Sequence, residues 1–313
     1  MSVKSVMRID NARGGSRVSV KSIMRVKNAI EKVMNAIFFV CGMIAIASVV
    51  LITVYMLVSG LPAIFEIGPA DFLFGTVWKS TAKEPSFGIL PFILTSIWGT
   101  AGAALIGVPI GLLTAVFLSK VAPRKLAVPV GMAVELLAGI PSVVYGLVGM
   151  LVLSPAVAEA FGLANGSSLF TAILVLSIMI LPSIISVSVT ALNAVPQEYE
   201  EASLALGATK SETYFKVSVP AAKSGIAAGV VLGIGRAIGE AMAVMMVAGN
   251  VANMPELFKS VTFLTTAVAK EMSYASGLQR QALFSIALVL FFFIMLINAI
   301  LNFILKGANK DEK

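Results

Sequence analysis

Six stretches of the chain are apolar for long enough to cross a bilayer: residues 36–58, 90–118, 127–153, 169–192, 226–248 and 282–305. A membrane-spanning helix needs about 20 mostly apolar residues, so the pattern predicts an all-α membrane protein, a six-helix transmembrane bundle. The second stretch is long and holds Pro91, Pro109 and several glycines, which predicts a bend or a tilt. The third is interrupted near its middle by Gly139-Ile140-Pro141-Ser142. Around the apolar core at 36–305 lie a basic N-terminal segment, 1–35, and a short tail, 306–313.

The polar positions orient this bundle. Lys4, Arg8, Arg13, Arg17, Lys21, Arg25, Lys27 and Lys32 precede the first span; Lys120, Arg124 and Lys125 follow the second. Lys210, Lys216 and Lys223 follow the fourth, and Lys306, Lys310 and Lys313 end the chain. The intervening loops hold only Lys79, Lys83, Lys259, Lys270 and Arg280. Basic residues mark the cytoplasmic side, so a multi-pass protein of the cell (inner or cytoplasmic) membrane is expected, with both termini cytoplasmic. The first span is too long for a signal peptide and lacks a clean small-residue cleavage site, so it is expected to be retained.

Before that span, Ser2-Val3-Lys4-Ser5-Val6-Met7-Arg8-Ile9-Asp10-Asn11-Ala12 recurs as Ser19-Val20-Lys21-Ser22-Ile23-Met24-Arg25-Val26-Lys27-Asn28-Ala29. Its interleaved basic and apolar residues suit a helix on an anionic membrane surface, or a positive-inside anchor with an accidental duplication. Two outer loops, 60–89 and 249–281, are long for tight connections. They suit docking of an extracytoplasmic partner or capping of the bundle, and Pro62, Phe65, Phe72, Phe74 and Trp78 suggest that the first rests at the interface.

Composition sharpens the class. Hydrophobic residues make up 58% and charged residues only 12%, against about 25% charged in a soluble domain. With no His and the single Cys41, neither a Ser-His-Asp or Cys-His arrangement nor a His-containing zinc site can be built. Cys41 lies in an apolar run and is expected to be a buried, inert thiol. The formal charge of +7 sits mainly at membrane edges, so lipid and not nucleic acid is the expected partner.

Two places carry candidate chemistry. In the loop after the fourth span, Pro196 suits a helix start, the acids behind it complement the helix N-terminus, and Gly207 suits its end. A short helix, a turn and a segment re-entering near Pro220 are predicted, either as a docking device or as a solvated connector. In the fifth span, Arg236 and Glu240 lie amid apolar residues, four apart and so on one helical face. One such charge costs about 2.5–3.5 kcal/mol at the bilayer centre, so both are expected to point into the bundle or a wet cavity. Two readings stand: a self-neutralising ion pair, or an Arg236 fork offered to a crossing oxyanion with Glu240 orienting it or taking its proton. Gly225, Gly229 and Gly233 recur every fourth residue, the spacing of close helix packing. Glu135, the other acid expected to be buried, precedes the break at 139–142 and is a weaker candidate for the path, a structural role being the alternative.

Glu201-Ala202-Ser203, then Gly207, then Val217-Ser218-Val219-Pro220 resemble the EAA loop of binding-protein-dependent ABC importer permeases. Ser203 stands where Ala is usual, and Ser224-Gly225 replaces the frequent Pro-Gly. Gly235-Arg236-Ala237-Ile238-Gly239-Glu240-Ala241-Met242-Ala243-Val244 is similar to the GRA-x-GETMAV stretch of phosphate importer permeases of the PstC type, with Ala241 in place of Thr. Gly139-Ile140-Pro141-Ser142, continuing through Gly146, is similar to that family's GIPS-V-x-G stretch. The likeness runs over about 90–305 and implies the type I ABC importer permease fold.

The resemblance also implies partners: a second, PstA-like permease chain in a heterodimer, a cytoplasmic ABC ATPase dimer docked at 196–220, and an extracytoplasmic phosphate-binding protein. It implies phosphate as substrate, with Arg236 and Glu240 on its path. No G-x-x-x-x-G-K-[ST] run occurs, so no cofactor is expected on this chain; ATP belongs to the partner ATPase. The competing readings are a permease for sulfate or molybdate, and an ATP-independent channel or proton-coupled carrier using Glu135, Arg236 and Glu240. The latter leaves the EAA-like loop unexplained.

Overall fold

The computed structural model describes residues 20–308, with side chains from Lys27 to Ile300 and at Phe303. The first copy of the N-terminal repeat and residues 309–313 lie outside the described residues. The chain divides into two units, Met1–Tyr55 and Met56–Lys313. In the first unit the chain is helical from Val20, so 20–35 is the opening of one long helix, α1 (Val20–Ile67). Every described side chain from Lys27 to Ile52 is exposed, including Phe38, Phe39, Ile44 and Leu51. A stretch whose described side chains are largely apolar and exposed all round is at home in lipid, where its backbone hydrogen bonds are satisfied internally. Cys41 is exposed too, which corrects the expectation of a buried thiol: its apolar neighbours face outward with it.

The second unit holds the rest of α1 and the helices α2 (Pro69–Phe74), α3 (Leu90–Val116), α4 (Arg124–Gly139), α5 (Ser142–Val148), α6 (Ser154–Phe161) and α7 (Leu169–Asn193). There follow α8 (Gln197–Ala205), α9 (Lys210–Thr213), α10 (Val219–Ala221), α11 (Lys223–Gly239), α12 (Met242–Val247), α13 (Leu264–Glu271) and α14 (Gly277–Ala308). Among the described residues five helical stretches are long and apolar enough to cross a membrane: Lys27–Ile67, Leu90–Val121, Ser142–Phe161, Leu169–Asn193 and Gly277–Ile300. The pair Lys210–Ala221 and Lys223–Gly239, bent by 73°, is a sixth when taken together as one broken span.

The core lies around α7, the most enclosed span. Leu176, Met179, Ile180 and Ile184 are buried there with Ala103 of α3, Ala237 of α11, and Val244 and Val247 of α12. Ser168 starts α7 by accepting a hydrogen bond from the Thr171 amide.

Two spans depart from the predicted outline. The break at Ile140–Pro141 separates α4 from the spanning helix, which runs on through a π turn at Gly149–Leu153 to Phe161. Proline cannot donate the backbone bond that would continue α4, so the break opens the span instead of dividing it. The stretch 226–248 is also discontinuous: α11 stops at Gly239, Glu240 is extended, and α12 starts at Met242.

At one end of this unit the two long loops pack together. Trp78–Lys79 pairs antiparallel with Ser86–Phe87, and Phe72, Trp78, Phe87 and Phe92 join Leu264, Leu283 and Ile286 in a second core. Glu271 accepts hydrogen bonds from Trp78 Nε1 (3.0 Å), Ser80 Oγ (2.8 Å) and Gln279 Nε2 (3.0 Å). The loops therefore cap the bundle. Phe72 and Trp78 are buried in the cap, while Phe65 and Phe74 are exposed as interfacial residues would be.

Candidate functional site

The seam between α7 and α11 positions the first site. A Cβ on Gly225 would lie 2.4 Å from Ala191 Cβ, one on Gly229 3.1 Å from Val187 Cβ, and one on Gly233 3.0 Å from Ile184 Cγ1. At Gly225 a Cβ has no room unless something shifts, and at Gly229 and Gly233 the neighbouring side chain must give way, so glycine favours the close approach of the two helices. Gly235 and Gly239 have open space where a Cβ would stand, so the opposite side of the same helix is free. Arg236 lies on its last turn, half-buried.

Arg236 makes no ion pair or hydrogen bond with any described residue. Its charge is felt at the Tyr145 side chain. Glu240, half-buried as well, does not neutralise it. The helix ends between them, and Glu240 Oε1 accepts from the Ala243 amide at 2.9 Å while its carbonyl accepts from Thr265 Oγ1 at 2.8 Å. The self-paired reading of the sequence assumed an unbroken helix; the break re-aims the carboxylate to the start of α12.

Tyr145 comes from the segment after the second break. Its hydroxyl donates at 2.7 Å to the Leu137 carbonyl, which at the end of α4 also accepts from the Ile140 amide at 3.3 Å. A cavity of about 230 Å³ lies against this joint, lined by Leu137, Ile140, Val144, Tyr145, Val175 and Ile178 among others, almost wholly apolar. Glu135 is not on its wall. It is exposed on α4 and has no ion pair among the described residues, which corrects the expectation of a buried acid.

The second site is the loop between α7 and α11. Pro196 immediately precedes α8, and Gly207 closes it with φ +89°, a conformation that only glycine enters cheaply. The Gly207 and Ala208 amides then reach the Leu204 and Ser203 carbonyls at 3.0 and 3.2 Å, as at a Schellman-type end. Ser203 Oγ is 3.0 Å from Thr213 Oγ1. Thr209 and Glu212 form a reciprocal capping box at the start of α9, and the Thr209 amide and hydroxyl hold the Glu212 carboxyl below its ordinary range, helped by Lys216.

Glu201 and Ala202 are exposed, Glu201 accepting from Gln197 Nε2 at 3.0 Å. Pro220 sits in α10, after a π turn at Tyr214–Ser218. Tyr199, Leu204 and Leu206 project outward, Leu206 with 90% of its surface free. Glu200, which the motif reading passed over, is the residue that ties the loop down. It forms an ion pair with Lys120 and accepts from Ser218 Oγ at 2.9 Å. Lys120 registers in the sequence only as loop charge, and one sequence gives no sign of which acid it meets.

A discontinuous-helix bundle carrying an apolar-tipped helix between two spans is the architecture of a transport permease. The chain belongs to the family of binding-protein-dependent transport system inner membrane components, whose model matches residues 107–310. It is 42% identical over 270 residues to the probable ABC transporter permease protein YqgH of Bacillus subtilis (strain 168), covering 82% of this chain and 86% of that protein. It is 36% identical over 288 residues to the phosphate transport system permease protein PstC of Pasteurella multocida (strain Pm70), covering 83% and 90%.

Among solved structures, a chain of a bacterial alginate ABC transporter in complex with a pentasaccharide-bound periplasmic protein superposes with TM-score 0.54 at 18% identity, covering 94% of this chain and 96% of that one. A chain of the inward-facing MetNI methionine ABC transporter gives 0.55 at 20%, covering 70% and 97%. The fold is that of type I ABC importer permeases.

Proposed function

We propose that the chain is the membrane-spanning permease subunit of an ATP-driven phosphate importer. Several relatives that match most of its length are phosphate transport system permeases, and the observation that carries the substrate is Arg236. A half-buried guanidinium with no carboxylate partner among the described residues is an unsatisfied cation, costly until an anion meets it. Its planar donors match a tetrahedral oxyanion. Glu240 shapes the path by capping α12 rather than by pairing with Arg236.

The distribution of Lys and Arg supports placing both termini and α8 in the cytoplasm, with the Trp78–Glu271 cap outside. On this reading a binding protein delivers phosphate at the cap, and an ATPase dimer, which binds the ATP, engages α8 through Tyr199, Leu204 and Leu206. A second, PstA-like permease chain completes the path and offers further donors to a multiply charged anion. ATP-driven closure then shifts the bundle between outward-open and inward-open populations.

The test is uptake into proteoliposomes holding the chain with its co-purified partners, binding protein outside and ATP inside. Phosphate uptake that needs both ATP and binding protein is expected, without sulfate uptake. Sulfate uptake alone would overturn the substrate, and uptake indifferent to ATP would overturn the coupled mechanism in favour of a channel or proton-driven carrier.

A further inference from the structure

Glu200, Lys120 and Ser218 come from three separate elements and meet at one carboxylate oxygen. Glu200 Oε1 receives both Lys120 Nζ and Ser218 Oγ. The pair is largely enclosed, with 11% of the Lys120 side chain and 18% of the Glu200 side chain exposed, and Ser218 is fully buried. An ion pair so enclosed is screened weakly by salt, unlike the exposed Lys216–Glu212 and Lys259–Glu256 pairs on the surface.

Both partners of Glu200 stand on π turns. The Ala122 amide bonds to the Phe117 carbonyl, five residues back, at 2.7 Å, and the Val219 amide bonds likewise to the Tyr214 carbonyl. Each π turn adds one residue to an otherwise α-helical course, rotating the downstream residues by about 100°. Lys120 and Ser218 each reach the same acid from within such a bulge. Lys120 ends the span that begins at Leu90, and Ser218 leads through Ala222 into α11, which carries Arg236.

We propose that Glu200 is a positioning residue for energy coupling: it clamps α8 at once to the end of the Leu90–Val121 span and to the segment entering α11, so that displacement of α8 moves both. The clamp is separate from the outward face of α8 that meets the ATPase, and it rests on the importer reading above. Glu200→Gln keeps the shape and an acceptor for Ser218 but removes the charge; Lys120→Met keeps an unbranched apolar stem but removes the ammonium, its charge and its donors together.

In reconstituted complexes each variant is expected to retain the ATPase subunits at wild-type stoichiometry and to hydrolyse ATP, while phosphate moved per ATP falls at least about tenfold. The double variant is expected to be no worse than the poorer single, because two groups acting through one contact do not add. Uptake per ATP within twofold of wild type in both singles, or losses that multiply in the double, would overturn the clamp. Loss of the ATPase subunits from Glu200→Gln would also overturn it and make Glu200 a docking residue. A wild-type complex that moves another anion would shift the substrate alone, and the clamp is then read in that anion's uptake per ATP.

Discussion

Arg236 and Glu240 are separated by one helical turn in sequence, yet the chain breaks at Glu240 and the carboxylate turns to the Ala243 amide instead of to the guanidinium. A pair of opposite charges spaced for mutual neutralisation is thereby kept apart. The acid spends its charge on the start of α12, and the cation is left for something that does not belong to the chain.

The two residues therefore differ in what their loss does. Arg236→Gln is expected to lower phosphate uptake about 10–150-fold, the worth of one charged hydrogen bond at about 1.5–3 kcal/mol, with the complex still assembled. Glu240→Gln retains an acceptor for Ala243 and is expected to keep most uptake, whereas Glu240→Ala loses a cap worth about 1 kcal/mol. Uptake and thermal unfolding of purified complexes, compared across the three variants, check this. An equal loss of uptake in Arg236→Gln and Glu240→Gln would contradict the division of roles.

The glycine seam predicts a contrast within one helix. Gly225→Val must push against Ala191, where even a Cβ would sit at 2.4 Å, and is expected to destabilise by about 1–3 kcal/mol, the usual range for overpacking. Gly235→Ala meets nothing within 4 Å and is expected to be neutral or stabilising by up to about 1 kcal/mol through helix propensity. Detergent-resistant thermal melts of the two variants give the comparison.

Leu206 is expected to be an anchor for the ATPase. Leu206→Glu should weaken association of the ATPase subunits about tenfold or more, since burying a leucine is worth about 1.5–3 kcal/mol. Binding of purified ATPase to immobilised permease measures it. Unchanged binding would place the docking surface elsewhere on the loop.

Glu271 gathers three donors from both capping loops. Glu271→Ala is expected to strip them of their acceptor and to impair binding-protein-stimulated ATP hydrolysis more than basal hydrolysis. Titrating binding protein against hydrolysis rate separates the two.

Much of the fold was legible because a lipid-facing helix must be apolar for its whole length. Five of the six predicted stretches overlap single helices able to span, and Gly207 ends α8 where the pattern placed it. The joints are the part that the pattern missed. Periodicity treats 226–248 as one helix because nothing in Gly239-Glu240-Ala241 forbids helix locally; the break is held by Thr265 on the Glu240 carbonyl, 25 residues away. Glu135 reads as buried because its neighbours are apolar, yet hydrophobic surroundings in sequence do not distinguish a core from a lipid-facing surface. The Lys120–Glu200 contact joins residues with no local relation, and the π turns that aim them have no signature in composition.

The glycine seam also limits how such a protein can work. With a Cβ at Gly225 only 2.4 Å from Ala191 and those at Gly229 and Gly233 3.0–3.1 Å from Val187 and Ile184, the seam resists sliding of α7 past α11, and the two helices are expected to move together. The displacement of a transport cycle is then concentrated at the two ends of α11, in the turn at Ala222 and the gap at Glu240–Ala241, which act as the hinges on either side of a lever.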